Sequence, residues 1–202
     1  MKAFFNIIQY DIEKKEFYQA KAKLETIRAE CEKDIGRDQI DFLTEMDMGW
    51  CLLNIGYYEG AKKCYEKILE HEKNKKEQDS KYETKVKNVI RANTDLGLCY
   101  LYLDKIEEAC AQFEKVIAIE NKNYEANLCL AQCYKALAEK NEKMGMTEET
   151  RINLQKAIAK YEMIESIEID KDDESRKEKI RNELLMLKIK ICKERNEEDR
   201  ER

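Results

Sequence analysis

Proline is absent from all 202 residues, and only six glycines interrupt them. Proline breaks a helix by removing a backbone donor and clashing with the preceding turn. A chain with none of it and so little glycine reads as helix throughout. Histidine occurs once, as His71, in a charged run at the end of a helical stretch with no catalytic partner nearby in sequence. It reads as a solvated surface residue and not as a general base. No segment reaches 18 consecutive apolar residues, and no charged and then apolar leader opens the chain. The expectation is therefore a protein that neither spans a membrane nor is Sec-exported. Two further patterns are missing, a CxxC pair and a phosphate-cradling loop of the GxGxxG or GxxxxGK[ST] type. Carboxylates are spread so evenly that no pair stands out as an acid and base couple. A catalytic reading has no residue to stand on, so a non-enzyme without cofactor or metal is expected.

What is present is a balance of apolar and charged residues. Hydrophobic content of 43% excludes wholesale disorder, and the length suits one domain or one repeat array with a continuous core. Charged residues make up 40%, with both signs interleaved as in EKKEFYQAKAK and a net charge of −5. That is the pattern of solvated helix faces carrying i,i+4 pairs. No concentrated basic stripe appears, so nucleic acid is not an expected partner.

The most ordered pattern lies in residues 94–121. Leu96, Gly97, Tyr100 and Leu103 share one face of a helix. Asp104-Lys105 then breaks the pattern, and Ile106, Ala109, Phe113 and Val116 form a second stripe at steps of three and four. The small residues Gly97 and Ala109 would let two helices approach closely as an antiparallel hairpin. The pattern recurs upstream as Gly49-Trp50, Leu52, Gly56, Tyr58, Ala61, Tyr65 and Ile68, and before that as Phe17, Ala20, Leu24 and Ile27. Downstream it returns as Leu130, Ala131 and Tyr134 and then Ala157, Tyr161 and Ile164.

These residues resemble the tetratricopeptide repeat, a helix-turn-helix unit of about 34 residues. Asn121 stands where that family usually places proline. The resemblance implies an all-α, right-handed superhelical solenoid of antiparallel hairpins. Its four copies would cover approximately 1–34, 42–75, 76–123 and 124–170, with a capping helix and charged tail at 171–202. The spacing departs from the family, because Ala20 to Ala61 is 41 residues while Ala61 to Ala109 and Ala109 to Ala157 are both 48. Against a unit of about 34 residues the excess is roughly 7 or 14, close to two or four whole turns. Lengthened helices that keep their apolar face in phase are expected, and residues 76–89 would be irregular if the excess were loop instead.

Along the chain the expected helices are 2–13, 16–35, about 38–55, 58–74, 81–103, 106–119, 124–144, 148–168 and 174–197. Gly36 and Gly145 are the expected stops. Asp38, Ser80 with Glu83, Thr147, and Asp172 or Asp173 are the expected N-caps. Cys51, Cys99 and Cys133 fall on one small position of the repeat, where they would act as apolar packers in a reduced, cytoplasmic protein. Cys129 and Cys133 sit i,i+4, but too few further ligands exist for a structural zinc site, and packing is the better account. In the last helix Ile180, Leu184, Leu187 and Ile191 make a single stripe. It suits a terminal cap, or else a short coiled-coil seam for a partner.

By the resemblance, the partner-binding groove is lined by Asn6 and Gln9, then by Met46, Trp50 and Asn54. Arg91, Thr94, Asp95, Leu98 and Tyr102 follow, and then Gln132 and Lys135. Trp50 beside Asn54 looks like a peptide hot spot, although a lone tryptophan on an amphipathic helix also suits a core. Relatives that clamp the carboxylate tails of chaperones need neutral or basic side chains where this chain has Phe5, Gln9, Asp47, Arg91 and Asp95. The two acids would repel a carboxylate, so chaperone C-terminal tails are not expected partners. The expected function is a non-enzymatic protein-protein interaction module, an adaptor, scaffold or assembly factor holding a peptide or helix in its concave groove. The alternatives are a peptide-sensing regulator, or a structural subunit of a larger complex, with a homo-oligomer as one form of it.

Overall fold

The structure is a computed structural model and describes residues 16–34, 42–74, 82–167 and 174–201. The expected first helix at 2–13 lies outside these residues, as do the expected caps and stops at Gly36, Asp38, Ser80, Asp172 and Asp173. The eight described elements are all α-helices: α1 (Phe17–Asp34), α2 (Phe42–Asn54), α3 (Tyr58–Asn74), α4 (Tyr82–Tyr102), α5 (Ile106–Ile119), α6 (Tyr124–Lys143), α7 (Thr147–Glu165) and α8 (Glu174–Glu201). The all-α expectation holds, and the part of 76–89 that is described, from Tyr82 onward, is helical. The chain divides into two compact units, Met1–Lys105 and Ile106–Arg202.

In the first unit α2 packs between α1 and α3, and α4 packs on α3. The periodic residues meet in one core, Leu24, Met48, Cys51, Ala61, Tyr65, Ile68, Leu96 and Cys99 among them. One contact sets how closely α2 and α3 approach. A Cβ built on Gly49 would lie 2.8 Å from Cζ of the fully buried Tyr65. Glycine is thus the residue that lets the α3 tyrosine ring seat against α2.

The turns are closed in one way. Gly56, Asp104 and Gly145 have φ values of 82°, 58° and 72°. In each case the following amide donates five residues back, Tyr57 to Leu52, Lys105 to Tyr100 and Met146 to Asn141, at 2.8–3.0 Å. This is a helix stop built on a left-handed residue. Two positions use glycine, which bears that conformation without strain. The polar break at Asp104-Lys105 is the third, with aspartate taking the strained position.

In the second unit α6 packs between α5 and α7, and α7 packs on α8. Asn123 caps α6, its Oδ1 accepting from the amide of Ala126 at 3.0 Å. The amide group of Asn127, which is fully buried, donates to the carbonyls of Asn121 and Asn123. Side-chain amides thus fasten the α5–α6 connection where the repeat family uses proline. Thr147 is not the cap of α7. Met146 holds that position without a side-chain bond, because the closure at Gly145 spends two residues and carries Thr147 into the helix. The stripe Ile180, Leu184 and Leu187 is buried, each side chain contributing about 1.5–3 kcal/mol. Ion pairs flank it, from Arg181 and Lys188 to Glu165 and Glu162 of α7, and between Lys190 and Glu142 of α6. The Lys135–Glu183 and Glu142–Lys190 pairs share one sequence separation, so α6 and α8 run in the same direction.

Two substitutions test this account by urea denaturation. Gly49→Ala should destabilise by about 1–3 kcal/mol, since the tyrosine ring has no room to retreat. Asp104→Gly should stabilise by about 0.5–1 kcal/mol by relieving the left-handed strain, whereas Asp104→Ala should not.

Candidate functional site

A concave cleft of about 890 Å³ opens in the second unit between α6 and α8, with Tyr161 of α7 behind it. On α6 its wall is the outward face Glu125, Leu128, Gln132, Lys135, Ala136 and Glu139, a set spaced by threes and fours. The opposite face of the same helix is spent on the core, through Ala126, Leu130 and Cys133. The α8 wall is Arg176, Lys179, Ile180, Asn182 and Glu183. The lining mixes an apolar floor with two primary amides, Gln132 and Asn182, and with both signs of charge. Across the cleft, Nζ of Lys135 lies 2.7 Å from Oε2 of Glu183. Both side chains are more than a third exposed, so the bridge contributes little and can be displaced by an occupant.

Gln132 and Lys135 are thereby placed in this cleft. The other residues expected at a groove divide. Asn6 and Gln9 lie outside the described residues, as does Phe5 of the clamp positions. In the first unit Met46, Thr94 and Asp95 are buried, inside the helix layer and not on its surface. Thr94 spends its hydroxyl on the carbonyl of Ile90, and Asp95 lies 3.8 Å from Nε of Arg91. Trp50 and Leu98 are half-buried against the core. Asn54 is exposed, but its amide donates to the carbonyl of Trp50 at 2.8 Å. Arg91 and Tyr102 are exposed, and the Tyr102 ring stacks on Tyr58 at 4.6 Å with an interplanar angle of 8°. Residue-by-residue reading missed the α8 wall altogether, although Leu128 and Ala136 are one turn on either side of Gln132. The signal that could have found α8 is its direction, set by the ion pairs to α6.

Six of the seven described cysteines belong to the interior, and Cys192 is exposed. Cys51, Cys99 and Cys133 are fully buried, with free thiols. Burial pushes the thiols of Cys99 and Cys129 up to about 12. A hydrogen bond with Cys110, and then burial, raises Cys133 as well. Burial also lifts the Tyr161 hydroxyl to about 12. Among the described residues no three His, Cys, Asp or Glu side chains come together as a metal site, and no helix is long and apolar enough to cross a membrane.

The family model described as Tetratricopeptide repeat matches residues 46–74 and 90–123. Among solved structures, the chain resembles MamA (residue 41 to the end) from Desulfovibrio magneticus RS-1. The identity is 19% and the TM-score 0.54, over 94% of this chain and 95% of that one. It also resembles the Podosopora anserina putative kinesin light chain with nearly identical TPR-like repeats. There the identity is 12% and the TM-score 0.55, over 94% and 95% of the two chains. At these identities the likeness is one of fold. No curated protein matches the chain.

The raised thiols predict an alkaline limit. A thiol whose folded pKa exceeds its unfolded value stabilises the fold fully below about pH 8.5 and loses that contribution as pH rises toward 12. Urea midpoints should therefore fall steadily above pH 8.5, with about 1–2 kcal/mol lost at pH 10 for each of Cys99 and Cys129. Cys99→Ala should flatten the profile.

Proposed function

This chain belongs to the tetratricopeptide-repeat family, and from that premise we propose that it is a protein-interaction module whose α6–α8 cleft holds a peptide segment of another protein. It acts as an adaptor or scaffold and not as a catalyst. The observation that carries this reading is the composition of the cleft. An apolar floor of Leu128, Ala136, Ile180 and Tyr161 lies beside the amides of Gln132 and Asn182. Apolar floors select side chains by fit, and amides satisfy the donors and acceptors of an extended backbone, which would otherwise be desolvated at a cost.

Three carboxylates, Glu125, Glu139 and Glu183, and three cations, Lys135, Arg176 and Lys179, share the lining. Glu125 stands at the same end of the cleft as Arg176 and Lys179, while Glu139 stands at the far end and favours a basic group on the peptide. Such a peptide would lie in a defined direction. Displacing the Lys135–Glu183 bridge costs little, so the cleft widens without disturbing the core beneath it.

The test is selection of peptides from a displayed library on immobilised wild type, followed by measurement on Leu128→Arg. Circular dichroism should show equal helicity, since Leu128 is only half-buried. The selected peptides should bind the variant at least about ten-fold more weakly, a loss of roughly 1.4 kcal/mol. Equal binding to a folded Leu128→Arg protein would remove the cleft as the site.

A further inference from the structure

Helix α8 has a second apolar face that the core does not use. Leu185, Met186 and Ile189 are 57%, 66% and 41% exposed, and exposed Cys192 follows one turn on. Leu185, Ile189 and Cys192 are separated by steps of four and three, the spacing of a seam between two helices. None of them lines the cleft, and they lie on the side of α8 away from the buried Ile180, Leu184 and Leu187. The sequence reading, which credited this helix with a single stripe, missed this one.

The packing around α8 says what shape is missing. Both α2 and α6 are held between two helices, whereas α8 packs closely on α7 and meets α6 across the cleft through the Lys135–Glu183 and Lys190–Glu142 pairs. Its open flank therefore has the dimensions of a helix-packing surface.

Charge says what kind of helix fits. Residues 174–193 hold seven lysines and arginines against three glutamates, in a chain whose net charge is −5. Arg181 and Lys188 are tied to α7 carboxylates. Lys179 and Lys193 border the stripe on its other edge, and neither has an ion-pair partner among the described residues. A second copy of the chain is a poor occupant. Antiparallel pairing that sets Leu185 against the other copy's Ile189 brings Lys179 beside Lys193, and parallel pairing brings Lys193 beside the other copy's Lys188. An anionic bilayer is also a poor fit, because the stripe is narrow and the exposed carboxylate Glu178 stands in line with it, two turns before Leu185.

We propose that the outer face of α8 docks an amphipathic helix of another protein, with leucine or isoleucine at heptad spacing against Leu185, Met186, Ile189 and Cys192 and glutamates opposite Lys179 and Lys193. The apolar residues of this surface are separate from the peptide cleft, with which it shares Lys179 at one edge.

Fluorescence anisotropy with a synthetic helix tests it. The probe is a labelled peptide of about 20 residues with leucine at the a and d positions and glutamate at the flanks. Wild type should bind it, with affinity falling as sodium chloride is raised. A Leu185→Ser/Ile189→Ser variant should keep its helicity, as both residues are exposed, and should lose at least about ten-fold in affinity. The same peptide with lysine flanks should bind at least about ten-fold more weakly. Leu128→Arg should leave binding unchanged, which keeps this test apart from that of the cleft.

Four results would overturn the proposal. One is no binding of the glutamate-flanked peptide up to millimolar concentration. Another is equal binding of the lysine-flanked peptide or of the double serine variant. The third is binding to phosphatidylserine vesicles that the double variant abolishes, which would assign the face to a membrane. The last is concentration-dependent dimerisation that the double variant abolishes, which would assign it to a second copy.

Discussion

The left-handed closure at Gly56, Asp104 and Gly145 is the constraint on which the rest of the architecture depends. Each time, an amide reaches back five residues to a carbonyl of the last helical turn. The orphan carbonyls at the helix end are thereby satisfied without a long loop. In the hairpins α2–α3 and α6–α7 the short return brings the second helix back along the first, so that apolar stripes meet in register. Gly49 against Tyr65 can be so close only because the turn a few residues later fixes the offset between the two helices. The helices in turn present one face of α6 outward, and the cleft is the space that face leaves toward α8.

Much of this was legible in the residues. Spacing by threes and fours, with Gly56, Asp104-Lys105 and Gly145 as punctuation, located the ends of α2 through α7 to within a residue or a few. The stop at Asp104 was readable because a polar pair interrupted two apolar stripes. Less legible was which outward position of a sandwiched helix is free. A helix held between two neighbours has two buried faces, and a wheel drawn for one helix does not say where the second lies. Hence Met46 of α2, and Thr94 and Asp95 of α4, which meets α2 as well as α3, are in fact inside. The converse holds for α8. With one closely packed neighbour, α7, it buries one stripe, and its second stripe, at Leu185 and Ile189, is left to water. Thr147 illustrates a competition between local rules, since the capping preference of threonine yields to the geometry of the preceding glycine turn.

Electrostatics then distinguishes the faces that packing leaves open. The chain as a whole is acidic, yet against three glutamates residues 174–193 of α8 hold seven lysines and arginines. Part of them fasten the helix to Glu142, Glu162 and Glu165, and these exposed pairs position more than they stabilise. The cleft, with both signs and two amides, suits an oriented peptide. The outer face of α8, with an apolar seam and a lysine border, suits a helix. The two surfaces share the edge at Asn182 and Lys179 and little else.

The buried thiols carry one more consequence. Cys51, Cys64 and Cys99 lie in the interior of the first unit, and Cys110, Cys129 and Cys133 in that of the second. A reagent in solvent reaches them only when the surrounding helices part. Their rates of labelling would therefore report the free energy of opening separately for each unit, as amide exchange does for backbone groups. A chain that uses cysteine as its small packing residue thus carries, in its own core, a set of markers for whether its halves melt together or one before the other.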